Sequence, residues 1–487
     1  MRIRRTPTRL AAIAAAVLVS IVGPGLAPVS AQDSPSGIAA GVPPPYNGDP
    51  PAPGTPPPGP GVGTDGSQLK QSVQCATSFQ QADLKAYPAG QQWLRLPEAH
   101  RFATGKGQTV AVIDTGVNDH QYLKLTDAKA DYLGVAGPRD CDGHGTEVAG
   151  IIAANTPADI GFQGMAPSAQ IMSIRQSSSV IRRTKEGQQE TGAGTPTTLA
   201  FAIRWAVDHN ATVINMSLAA CFPATAGTTL TPDQKLLQAA IHYAVERNIV
   251  LVAAAGNLQQ QGQPCGTQNN NPDPNAPTWI ESPAWFADDV LSVAAIATTT
   301  TDAQQAGQPA GFTVWGPWVS VAAPGTNITS LDPGSPTGLS DQTYENNHVQ
   351  GIQGTSFAAP YVAGLAALVK ERFPGLDVHQ VMNRIKMTAQ HPAAPGGRDN
   401  QVGYGMIDPV AALTSVVPGE PGTPAAATAQ RIPSDLGTLD GRSLSPMVIA
   451  MLGTATGVAL LLITLFVVHA MNTAKRRQRV PASRLRL

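Results

Sequence analysis

Short runs of apolar, β-branched residues recur through the middle of the chain and restrict its fold more than any other feature. The run at 109–113 (Thr-Val-Ala-Val-Ile) has no polar alternation, which is typical of a strand buried on both faces. Similar runs follow at 171–174, 212–216, 249–255 and 290–294, and segments with helical spacing of apolar residues lie at 198–209 and 232–247. This order predicts an α/β fold, a three-layer domain with a mostly parallel sheet and helices on both of its faces.

The beginning of the chain has the pattern of an export signal. Four arginines within the first nine residues precede an apolar run at 10–22, and small residues follow at Val29-Ser30-Ala31. This pattern predicts a secretory signal peptide over residues 1–31. The alternative is an uncleaved anchor, which the short apolar run disfavours.

An uncharged apolar run at 447–468 predicts a transmembrane helix. At about 1.5 Å per residue it is about 33 Å long, enough for a hydrocarbon core of about 30 Å. The tail at 469–487 carries six Lys and Arg side chains. Because positive charge stays on the cytoplasmic side, we expect a cytoplasmic tail, with residues 32–446 outside the cytoplasm.

Two stretches of low complexity flank the expected peptidase domain at 91–415. In the extension at 32–66, 11 of 35 residues are Pro and 8 are Gly, too little apolar sequence for a compact inhibitory domain. We expect this extension to wrap the surface, with residues 67–90 packed on the domain and residues 416–446 serving as a flexible linker. Only 13% of the residues are charged and the folded part has no basic stripe, so no nucleic-acid partner is expected.

Three polar residues stand where the expected strands end or the expected helices begin. Asp114 follows the run at 109–113, His144 precedes a helical run, and Ser356 opens another. Taken singly, Asp114 is typical of an Asx turn, His144 of a solvated side chain and Ser356 of a helix N-cap. Taken together they form a catalytic set, because a serine hydroxyl needs a base to remove its proton and the base needs a third group to orient it.

Five motifs in chain order make the chain similar to the subtilisin family. They are Ile-Asp-Thr-Gly at 113–116, His-Gly-Thr at 144–146, Asn-Met-Ser-Leu at 215–218, Ala-Ala-Gly-Asn at 254–257 and Gly-Thr-Ser-Phe-Ala-Ala-Pro at 354–360. The order Asp, His, Ser is also that of subtilisin. The export signal, Pro-rich extension, four cysteines and C-terminal anchor further resemble the mycosins, membrane proteases associated with type VII secretion systems.

The resemblance implies a role for each matching residue. Ser356 is the expected nucleophile, His144 the general base and then acid, and Asp114 the residue that orients His144. Asn257 matches the oxyanion-hole amide, although Gly256-Asn257 is also a favourable turn pair after a strand. Substrate binding is expected along an exposed strand edge, as β-augmentation, at Ser217, Leu218, Ala219 and Gly256.

No metal and no cofactor are expected. The cysteines lack the spacing of a zinc site. In many subtilisins an acidic calcium ligand follows a His-Pro pair, but His120-Gln121-Tyr122 occupies that place here, so the resemblance does not carry a calcium site over.

Four cysteines in an exported domain indicate two disulfides, and the sequence alone allows three pairings. Cys221 and Cys265 each follow an expected strand of the parallel sheet, so their loops lie at the same edge. We therefore expect Cys221 to pair with Cys265, which leaves Cys75 for Cys141 and attaches the N-terminal extension beside the His144 loop.

The expected function is that of a serine endopeptidase at the outer face of the cytoplasmic membrane. Its expected substrates are secreted proteins or peptides, and its expected partners are membrane components of a type VII secretion complex. A degenerate protease that acts as a structural clamp is the alternative, but the complete triad disfavours it. An esterase would have a Gly-x-Ser-x-Gly turn, and residues 354–358 (Gly-Thr-Ser-Phe-Ala) do not match it.

Overall fold

The computed structural model describes residues 42–46, 48–52, 62–63, 66–79, 86–135, 137, 139–186, 190–224, 230–259, 264–271, 273, 276–300, 305–345, 348–421 and 446–477. The chain divides into two compact units, one ending at Pro421 and the other beginning at Gly422. The expected signal peptide and most of the expected linker lie outside the described residues.

The described strands are, in chain order, β1 (Gln68–Gln71), β2 (Thr77–Phe79), β3 (Thr109–Asp114), β4 (Ala130–Asp131), β5 (Gln170–Arg175), β6 (Ser178–Thr184), β7 (Thr191–Ala193), β8 (Val213–Met216), β9 (Ala220–Pro223), β10 (Val250–Ala254), β11 (Trp279–Ser282), β12 (Val290–Ile296), β13 (Val319–Pro324), β14 (Ser330–Leu331), β15 (Leu339–Ser340), β16 (Gln342–Glu345) and β17 (His348–Gly351). The α-helices are α1 (Ala89–Trp93), α2 (Leu96–Ala99), α3 (His144–Ala153), α4 (Pro196–Asp208), α5 (Pro232–Val245), α6 (Thr355–Arg372), α7 (Val378–Met387), α8 (Pro409–Thr414) and α9 (Pro446–Arg477).

A seven-stranded sheet forms the centre of the first unit, in the order β13-β12-β10-β8-β3-β5-β4. Every strand pair in it is parallel. The five apolar runs noted above are β3, β5, β8, β10 and β12, so the predicted parallel sheet is confirmed. The sequence analysis did not identify the outermost strands, β13 and the two-residue β4.

Helices cover both faces of this sheet. Every residue of β10, β12 and β13 is buried, so both faces of these strands are shielded from water. The helices form two packed pairs, α3 with α6 and α4 with α5, and each pair packs against the sheet. Gly364 of α6 allows the segment that follows α3 to come close to this helix, since a Cβ on Gly364 would lie 2.5 Å from the Cβ of Met165.

The described part of the Pro/Gly-rich extension packs on the outer surface of α4 and α5. The guanidinium of Arg204 donates to the carbonyl of Pro51 (2.9 Å), and the amide of Gln238 donates to that of Pro44 (2.8 Å). The rings of Tyr46 and His242 lie 4.4 Å apart. At these residues the extension follows the surface, as expected from its composition.

Two disulfides attach loops to the domain. Cys75 is joined to Cys141, with Cα atoms 4.6 Å apart, and Cys221 to Cys265, with Cα atoms 6.0 Å apart. This is the pairing expected from the sequence. The first bond holds the residues that follow β1 beside the loop that leads into α3.

The second unit contains one long apolar helix, α9. Its segment Thr454–Lys475 has a mean hydropathy of 2.0 and is long and apolar enough to cross a bilayer, on length and composition alone. The C-terminal apolar helix predicted at 447–468 is thus confirmed. The helix extends beyond both predicted ends. It begins at Pro446, a residue that the first helical turn accepts, and it continues through the basic residues to Arg477.

Candidate active site

The predicted catalytic residues belong to elements that meet at the carboxyl edge of the parallel sheet. Asp114 is the last residue of β3, Ser217 directly follows β8, and Asn257 lies three residues after β10. The helices α3 and α6 begin at His144 and Thr355. Because adjacent parallel strands end on the same side, sequence-distant polar groups come together there.

Asp114 and His144 form a direct hydrogen bond. The ring Nδ1 of His144 lies 2.7 Å from Oδ1 of Asp114, which also accepts from the backbone N–H of Thr115 at 2.7 Å. The Asp114 side chain is 2% exposed, whereas that of His144 is 28% exposed. With a carboxylate as its acceptor, Nδ1 carries the proton in the neutral imidazole, and Nε2 of that form has its lone pair.

A buried carboxylate, Asp140, fixes the loop in front of His144. Its Oδ1 accepts from the Thr115 hydroxyl and the Gly143 N–H (both 2.8 Å), and its Oδ2 accepts from the N–H and the hydroxyl of Thr146 (2.8 and 2.6 Å). These bonds satisfy N–H groups that the first turn of α3 cannot pair internally. Asp140 therefore couples the end of β3 to the helix that carries His144.

Ser356 lies in the first turn of α6, and a proline frees its carbonyl. The helix N-cap is Gly354, without a side-chain cap, so Ser356 does not act as the cap. Pro360 has no N–H to donate to the Ser356 carbonyl four residues earlier. That carbonyl instead accepts from the Ser217 hydroxyl at 2.6 Å, and Ser217 Oγ in turn accepts from the Asn215 amide at 2.9 Å.

The side chain of Asn257 is oriented by the residue before Ser356. Its Oδ1 accepts from the N–H and the hydroxyl of Thr355, both at 3.0 Å, which directs its amide Nδ2 elsewhere. A Cβ on Gly354 would lie 3.0 Å from Ser356 Oγ and 3.6 Å from Asn257 Nδ2. With φ of +149° at this position, only glycine leaves the space between those two groups open.

A cavity of about 160 Å³ opens beside Ser356. Its walls contain the expected substrate-binding residues Ser217, Leu218 and Ala219, together with Asn257. The remaining lining residues are Cys221, Ala254, Gln259, Glu281 and Thr355. Gly256, the fourth expected substrate-binding residue, is not among the residues that line the cavity. It lies against the carboxyl group of Glu281, and its φ is +103°.

Carboxylates around His144 control its charge. Burial disfavours the imidazolium, but Asp114, together with Glu147 and Asp140, outweighs it and raises the pKa of His144 to about 9. Burial likewise raises the pKa of Glu147 to about 8 and that of Asp140 to about 6. A titrating carboxyl thus lies one turn along α3 from the imidazole.

Within the described part of the chain, no hydrogen bond joins the Ser356 hydroxyl to the His144 ring. Such contacts are often long without substrate and shorten when it binds. The His144 ring packs against Phe357, with ring centres 4.9 Å apart.

Two acidic residues of this site, Asp140 and Glu281, were not predicted from the sequence. Asp140 lies three residues before the N-cap Gly143, so the usual preference for Asp at the N-cap does not point to it. Glu281 has a weak signal, as a single charge in the strand Trp279–Ser282, where burial disfavours charge.

Comparison with known proteins shows the family of this chain. The model of the subtilase family matches residues 105–405. Mycosin-1 of Mycolicibacterium smegmatis is 44% identical over 354 residues, which cover 69% of this chain and 74% of that protein. The chain belongs to the subtilase family, and within it to the mycosins. It is therefore a subtilisin-like serine protease.

Solved mycosin structures have the same fold. The crystal structure of MycP1 from Mycobacterium smegmatis is 39% identical, with a TM-score of 0.64, and the match covers 79% of this chain and 96% of that one. A chain in the structure of an intact ESX-5 inner membrane complex is 34% identical, with a TM-score of 0.64. That match covers 90% of this chain and all of the other.

The carboxyl of Glu147 is expected to shift the pH dependence of this subtilase site. Only neutral His144 can accept the proton of Ser356, so kcat/KM should rise with pH and be half-maximal near pH 9. Glu147→Gln removes a charge that raises the pKa of His144 and should move this rise to lower pH. Measurement of kcat/KM between pH 6 and 10 checks this expectation, with Glu246→Gln, at the exposed residue that follows α5, as the control. A rise at the same pH in Glu147→Gln and wild type would contradict it.

Proposed function

We propose that this chain hydrolyses peptide bonds of secreted proteins or peptides through Ser356, His144 and Asp114. The observation that carries the proposal is the Asp114–His144 hydrogen bond at 2.7 Å, at the sheet edge where Ser356 and Asn257 line one cavity. A buried carboxylate on Nδ1 holds the imidazole in the tautomer whose Nε2 can accept a proton.

Acylation follows from these positions. The Ser356 hydroxyl transfers its proton to Nε2 of His144 while Oγ bonds to the scissile carbonyl carbon. The amide of Asn257 and the N–H of Ser356 stabilise the oxyanion, aided by the N-terminal end of α6. The C–N bond then breaks as the imidazolium gives its proton to the leaving amine. In deacylation, a water molecule gives a proton to His144 and attacks the acyl carbon, and the bond from that carbon to Ser356 Oγ then breaks as Oγ takes the proton back.

The cellular setting proposed is the outer face of the cytoplasmic membrane, in a type VII secretion complex. Helix α9 supplies an anchor, and six basic residues from Lys475 onward favour a cytoplasmic tail. The related chain within an ESX-5 inner membrane complex supports membrane components of such a complex as partners. The same likeness favours a second role, stabilising that complex, which is compatible with catalysis.

A fluorophosphonate probe tests the catalytic assignment. It should label the full chain on Ser356, and His144→Ala should abolish labelling because it removes the base that accepts the Ser356 proton. Asn257→Ala should slow labelling by about 10²–10³, a magnitude known from subtilisin for one oxyanion-hole donor. Mass spectrometry of the labelled peptide gives the site, and Ser356→Ala is the control. Labelling of Ser356 that persists in His144→Ala would overturn the assignment.

Reporter fusions test the orientation. A reporter active only outside the cytoplasm should be active when fused after residue 430 and inactive when fused after residue 480. Neutralising the four basic residues between 475 and 479 in the fusion after residue 480 should increase the activity of its reporter, since these charges favour a cytoplasmic tail. Activity only for the fusion at residue 480 would show the opposite orientation.

A further inference from the structure

The cavity beside Ser356 contains an acidic side chain that the proposed mechanism does not use. Glu281 is the third residue of β11, which pairs antiparallel with β9 and sets Glu281 opposite Cys221. The residue is 2% exposed, yet its side chain lines the cavity together with Ser356 and Asn257. Glu281 thus borders the same cavity as the expected nucleophile.

This carboxyl has no partner within the described residues. Its Oε2 is buried without a hydrogen bond, and none of the described Lys, Arg and His side chains forms an ion pair with it. Burial raises its pKa to about 8. A buried carboxyl with neither a hydrogen bond nor a counter-charge is rare in a folded protein, because its lost hydration is not replaced.

The neighbouring residues make room for the carboxyl but do not neutralise it. A Cβ on Gly256 would lie 2.4 Å from both Cδ and Oε1 of Glu281, so only glycine fits there. The sulfurs of Cys221 and Cys265 lie within 4.8 Å of the carboxylate, but they are joined in a disulfide and have no thiolate to bind a metal. A cation that meets Glu281 therefore has to enter through the cavity.

We infer that Glu281 selects a basic side chain, lysine or arginine, on the residue that contributes the scissile carbonyl (P1). This inference rests on the proposed function, which brings that carbonyl to Ser356. Leu218, Ala219 and Ala254 supply an apolar wall for the methylene stem, and Glu281 accepts from the charged end. The resulting charge-assisted hydrogen bond replaces the hydration that Glu281 loses on folding.

Peptidyl diphenyl phosphonates that differ only at P1 test this specificity on the full chain in detergent. One carries a lysine side chain and the other norleucine, which has a similar aliphatic stem but no ammonium. The second-order rate of Ser356 modification should be about 10- to 100-fold higher for the lysine compound, as for a hydrogen bond to a charged group. Glu281→Gln should reduce that ratio to near one, and Glu246→Gln should retain it.

The pH dependence gives a second readout. Protonation of His144 changes the rates of both compounds by the same factor, so this factor cancels in the ratio of the two rates. The lysine-to-norleucine ratio should rise between pH 6 and 8 as Glu281 ionises, and it should be independent of pH in Glu281→Gln. A ratio near one in wild type, or an equal ratio in Glu281→Gln, would overturn the inference and leave Glu281 as a residue that only shapes the cavity.

Failure of the inference is distinguishable from failure of the proposed function. If wild type reacts with the fluorophosphonate but shows no lysine preference, only the inference fails. If wild type reacts with none of these probes, the proposed function fails, and the inference fails with it.

Discussion

Burial of the parallel sheet on both faces is the constraint on which the rest of this structure depends. Strands β8, β10 and β12 have no face for water, so helices have to cover each side. Once the strands run in parallel, their carboxyl ends lie along one edge. Polar residues at the end of an apolar strand, such as Asp114, or directly after one, such as Ser217, are then brought to a single site.

Local breaks in regular hydrogen bonding build the site at that edge. Pro360 leaves the carbonyl of Ser356 without its helical donor, and the Ser217 hydroxyl replaces that donor. Gly354 leaves space between Ser356 Oγ and the amide of Asn257. The Ser217 contact fixes the backbone of Ser356, and Gly354 leaves Ser356 Oγ and the Asn257 amide open to one another, so this part of the site is formed without substrate.

The sequence was sufficient for the fold because long apolar runs and helical spacing are local signals. Short sequence motifs also predicted which residues lie near Ser356. The sequence did not reveal the carboxyl of Glu281 in the cavity, because the partners of a strand such as β11 depend on a distant strand, β9. Nor did it reveal the role of Asp140, whose four hydrogen bonds reach across two elements.

The central claim is that Ser356, His144 and Asn257 act together on a tetrahedral intermediate. The most direct measurement is a crystal structure of the protein after reaction with a peptidyl boronic acid, which mimics that intermediate. The account predicts boron bonded to Ser356 Oγ, with His144 Nε2 within about 3 Å of Oγ or of a boronate oxygen. It further predicts one boronate oxygen within about 3 Å of both Asn257 Nδ2 and the Ser356 N–H. A boronate bound to another residue, or one whose oxygens all point away from Asn257, would contradict the account.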